Sequence, residues 1–149
     1  MLASHLVGHG CSVLDGNLNE PAGAARPLFE DGGKGNRVTP DVVIRRLSPQ
    51  VSTEFVIDAK YKLPQNVPDR DDLNQVLAYG LVYGCRRVAL AYPRRRTSEP
   101  NIVSVGTIAG IAIFKIQIDL SAADLQQEEK RLADALKPFC SGEAPPDGP

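Results

Sequence analysis

A mixed α/β fold, with one sheet flanked by helices, is predicted by three observations. Short runs of strand composition (PDVVI, FVIDAKYK, VALAY) are separated by DDLNQVLAYGLVY, whose apolar residues recur at helical spacing. The order along the chain reads strand, strand, helix, strand, two further strands, helix, a succession that builds a mixed sheet. With 42% hydrophobic and 23% charged residues, 149 residues can bury one core without staples.

Each element follows from local chemistry. Residues 1–10 read as the end of a helix closed by Gly8 or Gly10, and CSVLDGN as a short strand and turn. Residues 19–37 are rich in Gly, Pro, Ala and charge, and predict a loop. Val38–Leu47 predicts a strand, Ser48–Gln50 a turn and Glu54–Lys62 a second strand. Asp71 or Asp72 would cap a helix running to Tyr83, with Gly84 just past its end. Leu73, Val76, Leu77, Gly80 and Leu81 would form its core stripe. Val88–Tyr92 reads as a buried strand ended by Pro93, and 102–108 with 111–120 as a hairpin around Ala109-Gly110. Ser121 would cap a last helix with Leu125, Leu132 and Leu136 on one face. The chain thus divides into a helix-and-loop region (1–37), an α/β core (38–137) and a disordered tail (138–149).

Charge and cysteine usage exclude several classes. Seventeen basic and eighteen acidic residues give a net charge of −1, so any nucleic-acid footprint has to be local. Cys11, Cys85 and Cys140 are odd in number and far apart, which fits neither a disulfide framework nor a zinc site and points to a reducing cytoplasm. No run approaches the roughly 20 apolar residues of a membrane span. His5 and His9 have the i, i+4 spacing of a helical metal chelate, but no acid accompanies them.

The charges inside FVIDAKYK need an explanation, because burying unpaired charge is costly. Side chains alternate along a strand, which puts Phe55, Ile57, Ala59 and Tyr61 on one face and Val56, Asp58, Lys60 and Lys62 on the other. Asp58 and Lys60 would then point the same way, roughly 6.6 Å apart at Cα. An antiparallel pairing of the two strands would bring Asp41 to Asp58. Two carboxylates and the Ala59 carbonyl suit Mg²⁺, a hard cation that completes its shell with water and phosphate. Lys60 would steady charge on a phosphodiester. An ordinary Asp58–Lys60 salt bridge on a half-exposed strand fits the same tripeptide. On the helix, Gln75 and Tyr79 are four apart and share a face, presenting an amide and a phenol, or equally a capping amide and a core tyrosine. Arg94-Arg95-Arg96, the pairs Arg45-Arg46 and Arg86-Arg87, and Lys62 could track a phosphate backbone or simply face solvent.

Together PDVVI, FVIDAKYK and DLNQVLAYG resemble the PD-(D/E)XK nuclease superfamily, in its RecB-like branch with the Q-x-x-x-Y motif, over Val38 to Pro93. Within that branch the sequence is most similar to the C-terminal nuclease domains of the McrC type, from 5-methylcytosine-specific McrBC restriction systems. The resemblance implies a restriction-endonuclease-like mixed sheet and Mg²⁺- or Mn²⁺-dependent hydrolysis of DNA. It implies metal ligation by Asp41, Asp58 and the Ala59 carbonyl, catalysis by Lys60, and support from Gln75 and Tyr79. It also implies an McrB-like AAA+ GTPase partner, through which the chain could oligomerise; no nucleotide-binding loop lies in this chain. The region before the first motif is short, and lacks the acidic helix residue many relatives carry; Glu20 and Glu30 are poor substitutes. Two alternatives accompany this expectation: a RecB-like exonuclease, and a non-catalytic module that holds DNA or the AAA+ partner.

Overall fold

The computed structural model describes all residues except 1, 19–22, 33–34, 95–101 and 142–149. Six strands form one sheet in the order β1-β4-β5-β6-β8-β7. They are β1 (Cys11–Asp15), β4 (Val42–Arg46), β5 (Ser52–Ala59), β6 (Arg87–Pro93), β7 (Ile102–Ile108) and β8 (Ile111–Ile118). Strand β4 pairs antiparallel with both β1 and β5, whereas β5, β6 and β8 run parallel and β7 closes the far edge antiparallel. Helix α2 (Arg70–Tyr83) is the crossover that makes β5 and β6 parallel. A second, two-stranded sheet pairs β2 (Arg26–Pro27) with β3 (Arg37–Val38).

Alternation along the strands sorts the core into two layers. On one face Phe55, Ile57, Ala89 and Ile116 pack against α1 (Leu2–Val7) and α3 (Leu125–Cys140). Phe55, Phe114 and Phe139 form an aromatic triad there, with ring centroids 4.8–5.5 Å apart. On the other face Val56, Val88, Leu90 and Ile113 pack against Val76, Tyr79 and Tyr83 of α2. Gly80 lets α2 approach the sheet: a Cβ there would lie 2.9 Å from Val88 Cγ1 and 3.2 Å from the Cys85 carbonyl oxygen.

Several sequence expectations need correction. The second strand ends at Ala59, so Lys60 and Lys62 lie beyond it, and Tyr61, expected on one strand face with Phe55 and Ile57, is 96% exposed. The first strand begins at Val42, because Arg37–Val38 pair with β2. Asp69, not Asp71 or Asp72, caps α2, its side chain accepting from the Asp72 amide. Tyr79 and Tyr83 take burial assigned to leucines, and Leu81 is 72% exposed. Asp124 replaces Ser121 as cap of α3, and Leu125 is exposed. The boundary at 138 falls inside α3, which continues through Pro138 to the buried Phe139 and Cys140. Residues 1–37 are likewise no separate region, since β1 belongs to the main sheet. His9 lies past the end of α1, so it does not share a helix with His5. Residues 142–149 of the expected tail, and Glu20, lie outside the described residues.

Candidate active site

The site forms where β5 ends. The β4–β5 pairing places Val42 opposite Ile57, which carries the preceding residue, Asp41, to the end of β5. There Asp41 Oδ2 accepts a hydrogen bond from the Ala59 amide at 2.7 Å. Close packing fixes that position: the Gly16 amide donates to the Asp41 carbonyl at 2.8 Å, and a Cβ on Gly16 would lie 2.4 Å from the Pro40 carbonyl oxygen. Asp58 shares the α2 face with Val56 and is 5% exposed. Burial pushes its carboxyl above the ordinary range; Lys60 pulls it down, and the nearby Asp41 carboxylate pushes it further up.

Lys60 carries the backbone one residue past β5, its amide donating to the Ala91 carbonyl at 2.7 Å. Its ammonium lies 2.6 Å from Asp58 Oδ2, 2.7 Å from Gln75 Oε1 and 3.1 Å from Asp72 Oδ1. Burial lowers the lysine's affinity for its proton, but the bonds and charges of Asp58 and Asp72 outweigh burial, and the net shift is upward. Gln75 turns its amide nitrogen to donate to the Tyr79 hydroxyl at 2.8 Å. Burial raises the Tyr79 phenol's pKa. Five expected residues thus meet: Asp41, Asp58, Lys60, Gln75 and Tyr79, around the Ala59 backbone.

The expected phosphate-tracking cations do not gather as a group. Lys62 is engaged with Asp69 and, at 2.6 Å, with Asp72 Oδ2, and these hydrogen bonds raise its pKa. Arg94 is only 8% exposed, its amide donating to the Ile118 carbonyl, so it presents no open cationic surface. Arg95 and Arg96 lie outside the described residues. Arg46 and Arg87 converge on Glu54, at 3.3 and 3.6 Å, near the start of β5.

Two residues of the site escaped the sequence reading. Asp72 touches both lysines and receives the Tyr92 hydroxyl at 3.5 Å, and Gly16 seats Asp41. The spacing Asp72, Gln75, Tyr79 (i, i+3, i+7) is the signal that places Asp72 on the same helix face.

The donor set suits a hard divalent cation: two facing carboxylates whose mutual repulsion a cation would relieve, beside the Ala59 backbone. One oxygen of each is already engaged, by the Ala59 amide and by Lys60. Among the described residues there is no cluster of three or more His, Cys, Asp or Glu side chains placed to hold a metal. Also among them, no helix is long and apolar enough to cross a membrane.

Fold and site together define a mixed α/β protein, a six-stranded mixed sheet between helices with carboxylates and a lysine at one strand end. No family model matches the chain, and no curated protein does. Among solved structures, it is similar to a chain in the half-complex from a tetradecameric assembly of Thermococcus gammatolerans McrB AAA+ hexamers with bound McrC. The TM-score is 0.59 at 17% identity, so the likeness is one of fold. It takes in 89% of this chain and 30% of that one; the chain spans less than a third of its neighbour's length.

Proposed function

We propose that this chain is an McrC-like nuclease domain, a Mg²⁺- or Mn²⁺-dependent endodeoxyribonuclease that hydrolyses DNA phosphodiester bonds beside an McrB-like AAA+ GTPase. One observation carries the reading. Asp41 and Asp58, from adjacent antiparallel strands, meet at one strand end with the Lys60 ammonium against them. The likeness to a chain of an assembly containing McrB AAA+ hexamers and bound McrC supports the partner.

Asp41, Asp58 and the Ala59 carbonyl would hold the cation. When bound, it would supply Lewis-acid polarisation of the phosphodiester and a more acidic water. Lys60 contributes a positive charge, with protons to donate to a phosphate oxygen as charge develops there. Gln75 aims Lys60 through its amide oxygen, and Tyr79 keeps that amide from rotating. Lys62, with Arg95 and Arg96, would contact the DNA backbone; for Lys62 this means exchanging Asp69 for phosphate.

The test is cleavage of plasmid DNA by the purified chain with its GTPase partner, GTP and Mg²⁺. Asp58→Ala and Lys60→Ala abolish cleavage while the circular dichroism spectrum is kept. Undiminished cutting by both variants refutes the reading.

A second reading is a non-catalytic module that holds DNA or the AAA+ partner. It is favoured by the direct Asp58–Lys60 ion pair and by the absence, among the described residues, of a three-ligand cluster. Mn²⁺ titration separates the two: binding that is lost in Asp41→Ala and Asp58→Ala supports the enzyme, and metal-independent DNA binding supports the module.

A further inference from the structure

Lys60 is held from two elements at once. An ammonium has three protons to donate, and three oxygens surround it: Asp58 Oδ2 from β5, and Gln75 Oε1 and Asp72 Oδ1 from the first two turns of α2. Two of the three acceptors therefore sit on one helix face, at i and i+3. Helix α2 thus shares with the end of β5 in setting where the ammonium points.

Asp72 is suited to this by its own surroundings. It is 7% exposed, a depth at which an aspartate needs partners. One oxygen meets Lys60 and the other meets Lys62 at 2.6 Å, with the Tyr92 hydroxyl behind it at 3.5 Å. The carboxylate is thus fixed on both sides and cannot turn away from Lys60. The Asp69 cap anchors the same turn by accepting from the Asp72 amide at 3.0 Å.

We propose that Asp72 is a positioning residue that, with Gln75, keeps the Lys60 ammonium aimed across the site instead of leaving it to pair with Asp58 alone. This rests on the nuclease reading above and adds to it a residue that touches neither metal nor phosphate. Without Asp72, Asp58 would be the one anionic partner of Lys60 and the ammonium would lose that aim, with the carboxylates of Asp41 and Asp58 left in place.

The experiment uses the full chain labelled with ¹⁵N, first without metal or DNA. In the wild type the Lys60 ammonium gives its own ¹⁵N–¹H correlation, because three acceptors hold its protons. Asp72→Asn removes or shifts that signal and Asp72→Glu retains it, with the folded backbone spectrum kept in both. Asp72→Ser serves in place of Asp72→Asn should the latter fail to fold. In the cleavage assay, Asp72→Asn lowers kcat by about 10–100-fold with KM nearly unchanged, and Asp72→Glu recovers most of the loss. Mn²⁺ affinity stays within about threefold of the wild type, since Asp72 is not a ligand.

A Lys60 signal absent in the wild type or unaltered in Asp72→Asn overturns the proposal, and so does loss of Mn²⁺ binding, which would make Asp72 a ligand. A wild type that shows the variant-sensitive signal but never cuts DNA defeats the nuclease reading and leaves the positioning role standing.

Discussion

Gly16 and Pro40 touch backbone to backbone: a Cβ on Gly16 would lie 2.4 Å from the Pro40 carbonyl oxygen and 3.2 Å from the Asp41 Cα. Neither neighbour is a flexible side chain that could swing aside. Gly16→Ala is therefore expected to push Pro40 and Asp41 away from the end of β5 and to cost about 1–3 kcal/mol. A urea titration checks the stability, and loss of Mn²⁺ binding checks the displacement of Asp41. A variant as stable as the wild type would show that the approach is looser than described.

Asp58 gives the molecule a pH signature. Burial holds its carboxyl above the ordinary 3.8, against the pull of Lys60 and with the push of Asp41. A proton bound more tightly in the folded than in the unfolded state adds stability that is complete below 3.8 and is lost as pH rises through the higher folded value. At neutral pH the ionised side chain is thus a net burden. Asp58→Asn is expected to raise the metal-free Tm by a few degrees at pH 7, with the advantage shrinking as pH falls towards 4. Thermal scans across that range decide it, and an Asn variant less stable at pH 7 contradicts the burial argument.

Phe139 follows Pro138 in the last turn of α3, is 4% exposed and packs against Phe55 and Phe114. Phe139→Ala empties one third of the aromatic triad, for an expected loss of about 3–5 kcal/mol. Chemical denaturation measures it. A loss below about 1 kcal/mol would mean that residues after 137 act as a tail.

All three thiols are buried. Burial pushes Cys140 up to about 12, with Cys11 adding to the rise, and Cys85 up to about 11. Relative to an ordinary thiol at 9.0, the Cys140 thiolate at pH 8 is about a thousandfold rarer. Iodoacetamide at pH 8 is expected to leave Cys85 and Cys140 unmodified in the folded protein and to label both in urea. Mass spectrometry reads the outcome, and rapid native labelling of Cys140 would contradict its placement.

The hairpin 102–118, the antiparallel meeting of Asp41 with Asp58, and the Gln75–Tyr79 pair were legible because period-2 and period-3.6 patterns are local. What failed depended on contacts distant in sequence. Alternation carried the strand on to Lys62, but Asp41 captures the Ala59 amide and the ladder stops soon after. Three aspartates stand within four residues, so composition could not choose the cap, which the side chain of Asp69 settles. The tail was expected from 138 on composition, although Phe139 and Cys140 still had core to fill. The paired strands of two residues each, β2 and β3, carry no periodicity to read. Asp72 looked like a cap, since its partners Lys60, Lys62 and Tyr92 converge on it only once β5, α2 and β6 have assembled.

Helices α1 and α3 lie together on the side of the sheet turned away from α2, and the carboxylates and lysines lie on the α2 side. A fluorophore or affinity handle attached at the exposed Lys130 of α3 would therefore sit behind the sheet, keeping the approach to Asp41, Asp58 and Lys60 clear, so this unit can be tethered to a surface for single-molecule work with its working side outward.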